Sequence, residues 1–361
     1  MTNDLVTDNR MSRICSSLGK MGFKVLLIGR HRKDSLPLDK RDYETKRLKL
    51  IFNKGSLFYA EYNVRLFVYL LFSRFNVLLA NDLDTLPANY LASRLRRRPV
   101  VYDSHEFYTE VPELMNRPGI RRFWLGIEKF ILPKLKYAYT VSNSIAREYK
   151  KRYRTEFHVI RNVPVSPDSG TETPAKHDKT ENIILYQGSL NEARGLEYAI
   201  RAMKFIDNAR FIIAGEGDIS QKLKQLVEAE KLDGKVVFTG RLAPGKLKVL
   251  TSEADLGLSI EEDRGLNYRY ALPNKLFDYI HAGLPVLVNN LPEMASIVSA
   301  WQIGLVTPSL EPEVLAGKIK DALFDEKQRE EWAVNLKMAA SELCWEKEEL
   351  KLQEIFQRFL E

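Results

Sequence analysis

The sequence predicts an α/β protein built from two doubly wound parallel-sheet domains that face one another across a cleft, followed by C-terminal helices. Three observations carry that expectation. The chain has 361 residues, 45% of them hydrophobic and 29% charged, enough for about two separate cores. Two long passages alternate short apolar runs with helical patterns, the signature of parallel strands covered by helices. Between them, residues 164–181 read PVSPDSGTETPAKHDKTE, a composition that cannot build a core and reads as a linker.

In the first passage the apolar runs are residues 25–28, 77–80, 100–102, 139–141 and 157–160, with helical patterns over 57–72, 86–97 and 121–135. In the second they are 183–186, 211–214, 236–239, 256–260, 285–288 and 304–306. The helices expected there cover 195–203, 219–230, 244–252, 273–281, 292–298 and 311–324. After about residue 325 the chain is helical and charged, with Trp332, Leu336, Leu343, Trp345, Leu352, Ile355 and Phe359 as expected contacts. The domains then run 1–163, 182–340 and a final helix over 341–361, which is expected to pack back toward the first domain. In open α/β sheets, ligands sit beyond the carboxyl ends of the strands.

Composition excludes several classes. Two cysteines, Cys15 and Cys344, cannot staple a chain of this length and are too few for a zinc site. No stretch approaches the roughly 18 to 20 apolar residues of a membrane span, and the start, MTNDLVTDNR, has no signal-peptide pattern. A cytoplasmic location is therefore expected. The net charge of +7 is unevenly spread: residues 1–166 carry 31 Lys and Arg against 16 Asp and Glu, and the remainder 24 against 32. A first half at +15 suits an anionic surface or ligand, such as a phospholipid leaflet; the alternative is a solvated basic surface. No nucleic acid is expected, since Arg94-Leu-Arg-Arg-Arg98 stands at a helix end without a recognition motif.

The richest motif is LNYRYALPNKLFDYIHAGLPVLV, residues 266–288. Pro273 suits a helix start, which puts Lys275 in the first turn, against the helix dipole. An anion bound there would reverse the sign, because free N–H groups and a lysine make a phosphate site. Asp278 shares a face with Lys275, while Leu276 can point inward. Lysine for a diphosphate and carboxylate for a ribose is one interpretation; a surface Lys/Asp pair is the other.

In YQGSLNEARGL, residues 186–196, Gly188 and Gly195 permit a tight loop and Arg194 can grip a phosphate. Gly215-Glu216-Gly217-Asp218 is a further loop after a strand, more simply a structural turn. In the first half, VVYDSHEFYTE sets Asp103, His105 and Glu106 at the carboxyl end of a strand, where a histidine can meet a hydroxyl or merely organise its loop. Asp82 and Asp84 resemble a metal-holding DxD element but are expected as helix caps. No HExxH, P-loop, CxxC pair or GxSxG occurs.

These segments, together with NDLVTDNRMSRICSSL, NDLDTLPANYLA, VVYDSHEFYTEVPE, IRNVP, FIIAGEGD, VVFTGRL and LPNKLFDYIHAGLPVL, resemble glycosyltransferase family 4, retaining group 1 enzymes of GT-B fold with two Rossmann-like domains. The resemblance covers nearly the whole chain. It implies that Arg194 and Lys275 neutralise the donor diphosphate, that Asp278 meets the ribose and that Arg241 reads the base. Gly188, Ser189, Gly215, Glu262 and Leu276 would complete the nucleotide-sugar site. His105 would contact the transferred sugar, with Asn3, Asp4 and Glu106 on the acceptor side.

The family's two glutamates stand eight residues apart. Eight before Asp278 is Tyr270, whereas Glu262 has the family's SxxE context. A strand normally precedes NDLVTD, so the first strand of this chain is expected to be missing. The activity implied is hexosyl transfer from a UDP- or GDP-linked sugar to an acceptor hydroxyl, with retention and with no metal or other cofactor. The acceptor would be a saccharide or a lipid-linked molecule in cell-surface polysaccharide or lipopolysaccharide synthesis. The protein would then work at the inner face of the cell membrane, in peripheral contact through the basic domain. The alternatives are a nucleotide-sugar 2-epimerase of the same fold and an inactive binding subunit.

Overall fold

The computed structural model describes residues 1–3, 5–6, 8–32, 35–166 and 181–360. The chain divides into two compact units: residues 1–162 with 348–361, and residues 163–347. Most of the expected linker lies outside the described residues.

Unit 1 begins with α1 (Asn9–Lys20), β1 (Leu26–His31) and β2 (Glu44–Lys49), then α2 (Gly55–Phe72), β3 (Leu78–Asn81), α3 (Leu86–Arg96) and β4 (Val100–Ser104). It continues with α4 (Pro112–Met115), α5 (Pro118–Ile131), β5 (Tyr137–Thr140), α6 (Asn143–Tyr153) and β6 (His158–Val159). All pairings are parallel, in a four-stranded sheet β3-β4-β5-β6 and a two-stranded sheet β1-β2. β4 is buried at every position, which explains its unbroken apolar run. The first residues lie along β1: the Met1 amino group donates to Ile28 O at 2.8 Å and Arg30 N donates to Asn3 O at 3.4 Å.

Asp8 caps α1, its carboxylate accepting from Met11 N at 2.8 Å. By contrast, Asp82 and Asp84 do not cap α3, contrary to expectation. Thr85 is its N-cap and makes no side-chain cap bond. β2 is the strand the apolar runs do not reveal. Its sequence, ETKRLK, lies at a sheet edge with Glu44, Lys46 and Lys49 exposed and no position buried, and lysines there discourage edge-to-edge pairing.

Unit 2 comprises β7 (Asn182–Gln187), α7 (Leu196–Ala202), β8 (Ala209–Ala214), α8 (Ser220–Ala229), β9 (Val236–Gly240), α9 (Pro244–Glu253), β10 (Leu256–Ser259) and α10 (Leu266–Arg269). It is completed by α11 (Asn274–His281), β11 (Val286–Asn289), α12 (Pro292–Trp301), β12 (Gly304–Thr307), α13 (Pro312–Phe324), α14 (Glu326–Glu342) and the start of α15 (Trp345–Phe356). Six parallel strands run in the order β12-β11-β10-β7-β8-β9, the doubly wound arrangement that reverses between β7 and β10. One core of fully buried aliphatic and aromatic side chains fills both faces, including Leu276 and Tyr279 of α11. Both cysteines are free and buried.

Candidate functional site

In unit 2 the strand order reverses between β7 and β10, whose ladder joins only Ile184 to Leu256 and Leu185 to Gly257. Beyond that the strands part, and the Tyr279 hydroxyl stands at the fork. It accepts from Gln187 N at 3.1 Å and has Leu185 O and Leu258 O at 3.3 and 3.4 Å. The loops after β7, β8 and β10 gather at this end. Gly215 has φ +153°, and a Cβ on it would lie 1.8 Å from Gly188 O. Gly195 has φ +73°, and its Cβ would lie 2.2 Å from Ile260 O. Only glycine lets these backbones touch.

Lys275 points into this end from the first turn of α11. Its side chain is only 8% exposed, its Nζ is 2.6 Å from Glu261 Oε1, and it lies 4.1 Å from the centre of the Tyr186 ring. The Arg194 guanidinium reaches the same carboxylate oxygen at 3.6 Å, and its Nε is buried with no hydrogen-bond partner among the described residues. Glu261 itself is fully buried; Ser259 Oγ donates to its other oxygen at 2.9 Å. Burial works against its charge, but Lys275 and then Arg194 hold the carboxyl below the usual range. The anion that a lysine at a helix start calls for is therefore supplied by the chain itself. Two cations share one carboxylate, which leaves one positive charge for an incoming anion.

Glu262, the acidic residue expected in this site, is not brought to Lys275. Its carboxylate pairs with Arg264 Nε at 3.0 Å, and its backbone N–H donates to Ala193 O. Two neighbours along an extended chain point to opposite sides, so Glu261 faces in. Leu276 points inward as its spacing predicts: its side chain is in the core, and its N–H donates to Pro273 O at 3.1 Å. Asp278 pairs not with Lys275 but with Gln187, whose Nε2 donates at 3.0 Å while its Oε1 accepts from Thr251 at 2.8 Å. Gly188 and Ser189 are exposed on the first loop, and Ser189 O accepts from the Tyr186 hydroxyl at 2.9 Å. Arg241 is exposed just past β9, the edge strand, two strands from β7. Tyr270 ends α10 half-buried. The sequence did not point to Glu261, Gln187 or Tyr279. The demand of Lys275 for an anion was the one signal for Glu261.

Unit 1 gathers a second cluster at the carboxyl ends of β3 and β4. His105 Nε2 is 2.9 Å from Asp103 Oδ2, its Nδ1 is 3.6 Å from Asp82 Oδ2, and its backbone N–H donates to Asp82 Oδ1 at 2.9 Å. Buried Arg10 of α1 holds Asp103 at 3.0 Å and donates to Ile160 O. Burial disfavours the imidazolium, but Asp103 and Asp82 outweigh it and lift His105 to about 9. Burial raises Asp82 to about 7 and Asp84 to about 6, while Arg10 and His105 overcome burial to hold Asp103 low. The Asp84 carboxylate accepts from the Thr2 hydroxyl at 2.5 Å. Asn3 and Glu106 are exposed and line a cavity of about 920 Å³ within this unit. Asp4 lies outside the described residues. Among the described residues, no group of three or more His, Cys, Asp or Glu side chains could hold a metal ion.

Residues 171–338 match the family described as glycosyl transferases group 1, and residues 9–163 match glycosyltransferase family 4. An uncharacterised glycosyltransferase of Methanocaldococcus jannaschii is 32% identical over 150 residues, 40% of this chain and 36% of that protein. The stretches matched cover 26–39% of the length of the curated relatives. In fold, sucrose-phosphate synthase from Thermosynechococcus elongatus superposes with a TM-score of 0.78 at 18% identity, covering 96% of this chain and 92% of that one. The HepE protein of Anabaena, solved in complex with UDP-glucose, superposes at 0.75 with 14% identity, covering 99% and 98%. Both neighbours share the α/β architecture in two units described above.

Proposed function

We propose, on the premise that this chain belongs to glycosyltransferase family 4, group 1, that it transfers a hexosyl group from a nucleotide diphospho-sugar to an acceptor hydroxyl. The single observation that carries this reading is the fully buried Glu261 with Lys275 and Arg194 on one oxygen, set where a doubly wound sheet reverses. The cations would receive the diphosphate, Asp278 the ribose, and the Gly188-Ser189 loop and Gly215 the donor's backbone-facing side. Arg241, at the sheet edge, would meet the base.

In the transfer the bond from the anomeric carbon to the phosphate oxygen breaks and a bond to the acceptor oxygen forms on the same face, with configuration retained. Arg194, Lys275 and the start of α11 stabilise the charge that develops on the departing diphosphate. The acceptor proton passes to a phosphate oxygen, so no protein nucleophile and no metal is invoked. His105 would hold the sugar through Nδ1, the ring nitrogen farther from a carboxylate, beside Asn3 and Glu106 for the acceptor. The acceptor belongs to cell-surface polysaccharide or glycolipid synthesis. No described helix is long and apolar enough to cross a membrane. The excess positive charge of the first half fits peripheral contact with the anionic inner leaflet, and salt-sensitive partition to anionic vesicles would test that contact.

The decisive experiment is calorimetric titration with UDP, GDP and ADP, without added metal, on the wild type and on Lys275→Ala. One nucleotide binding in the micromolar range and lost in the variant supports the donor site. A folded protein that binds none of them rejects it. UDP comes first, because a structural neighbour was solved with UDP-glucose.

A further inference from the structure

Arg194 is held more loosely than its companion in the donor site. Lys275 Nζ makes a hydrogen bond of 2.6 Å to Glu261, whereas Arg194 Nη1 stands 3.6 Å from the same oxygen, too far to fix the direction of a guanidinium. Its Nε has no hydrogen-bond partner among the described residues, and its side chain is 26% exposed. An arginine loses rotamer freedom when it grips a ligand, so whatever holds it in place beforehand strengthens that grip.

Two features hold it. The first is the backbone. Ala193 has φ +63° and Gly195 φ +73°, so Arg194 stands between two left-handed residues, a path an alanine follows only when its surroundings enforce it. Here they do: Ala193 O accepts from Glu262 N at 2.9 Å, and Gly195 backs onto Ile260 O. The loop after β7 thus lies against the loop after β10 residue by residue, which brings Arg194 opposite Glu261. The exposed pair of Arg264 with Glu192, 3.8 Å apart, continues the contact.

The second feature is Tyr268. It sits on α10, in a loop closed by the ion pair of Asp263 with Arg269 at 3.7 Å. The Tyr268 hydroxyl donates to Glu192 O at 3.3 Å, and its ring centre is 5.5 Å from the Arg194 guanidinium carbon. Lys275 has the same kind of support, with the Tyr186 ring at 4.1 Å. A ring face attracts a cation through its quadrupole and carries no net charge. A second carboxylate in that position would cancel the one positive charge that Glu261 leaves to the pair. A tyrosine orients the guanidinium and leaves the charge in place.

We propose that Tyr268 is a positioning residue of the donor site, its ring aiming the Arg194 guanidinium so that the site favours a nucleoside diphosphate over the monophosphate. The inference rests on the transferase reading and adds to it a residue that acts on the donor through another side chain.

The test is calorimetric titration of the full chain with UDP, GDP and ADP and with UMP, GMP and AMP. It compares the wild type with Tyr268→Leu, Tyr268→Phe, Arg194→Ala and the double variant Arg194→Ala with Tyr268→Leu. For the nucleotide that binds, Tyr268→Leu should weaken the diphosphate about tenfold and the monophosphate less than about threefold. Tyr268→Phe keeps the ring and should stay within about twofold of the wild type. In the Arg194→Ala background Tyr268→Leu should change nothing further, because a residue that acts only through Arg194 has nothing left to act on. Should Tyr268→Leu melt early, Tyr268→Met decides by the same criteria. A diphosphate bound equally by wild type and Tyr268→Leu, an equal loss for the monophosphate, a phenylalanine variant as weak as the leucine one, or a full effect without Arg194 overturns the proposal while the donor site stands. A folded wild type that binds no diphosphate removes both.

Discussion

Glu261 and Glu262 are adjacent and chemically identical, yet the structure gives them opposite environments. Glu261→Gln strands two cations against a buried amide and should cost about 3 to 5 kcal/mol. Glu262→Gln loses only a pair with Arg264, whose side chain is 55% exposed, and should cost less than about 1 kcal/mol; urea unfolding midpoints check both. The double variant Lys275→Met with Glu261→Leu removes the buried pair together and leaves behind only Arg194, whose side chain is 26% exposed, so it should cost less stability than Glu261→Gln while losing nucleotide binding. His105 offers a pH test. Its midpoint rises on folding from 6.5 to about 9, so its stabilisation is fully present below pH 6.5 and is lost as pH rises through 9, in all roughly 3 kcal/mol. Its imidazole should titrate near 9 by NMR, and Asp82→Asn, which removes one of its two carboxylates, should lower that midpoint. The sequence revealed Lys275, Arg194, Asp278 and His105 as residues with chemistry. Their partners depended on which of two neighbours turned inward, and no periodicity encodes that at the end of a strand buried on both faces.

At the scale of elements, the second half was legible almost strand by strand, because a parallel sheet covered on both sides demands unbroken apolar runs. β2 escaped for the opposite reason: an edge strand rich in lysine and arginine carries no such run. β5 also begins two residues before the expected run, since Tyr137 pairs with Val101 while only half-buried. What the runs could not show is how the loops interlock at their carboxyl ends. Gly215→Ala would drive a methyl group into Gly188 O at a backbone angle that L-residues avoid. It should cost about 3 kcal/mol or more, with a lower melting temperature and weakened nucleotide binding together. Tyr279→Phe is milder: it leaves Gln187 N–H unpaired at the fork of the sheet, and unfolding titrations should show a loss of about 1 to 3 kcal/mol.

At the scale of the whole molecule, charge and chain path matter more than any one contact. The +15 of residues 1–166 was plain from the sequence; the chain path was legible only as an expected return of the last helix. Residues 348–361 belong to unit 1. Phe356 and Phe23 lie edge to face at 6.1 Å, Phe359 lies 5.1 Å from Tyr137, and the buried Glu348 carboxylate accepts from Arg161 N at 3.0 Å. Phe356→Ala should cost unit 1 about 3 to 5 kcal/mol. Calorimetry should therefore show two transitions, one lowered in the variant and the other unchanged.

That returning segment also sets an order of events during synthesis. Unit 1 is translated first, yet its last fourteen residues leave the ribosome only after the 185 residues of unit 2 have been made. At about 5 to 20 residues per second that delay is roughly 10 to 40 s. Throughout it, the surface that Leu352, Ile355 and Phe356 will cover stays open on the nascent chain. The half made first is thus the half finished last, and its waiting apolar surface is where a chaperone would find this protein.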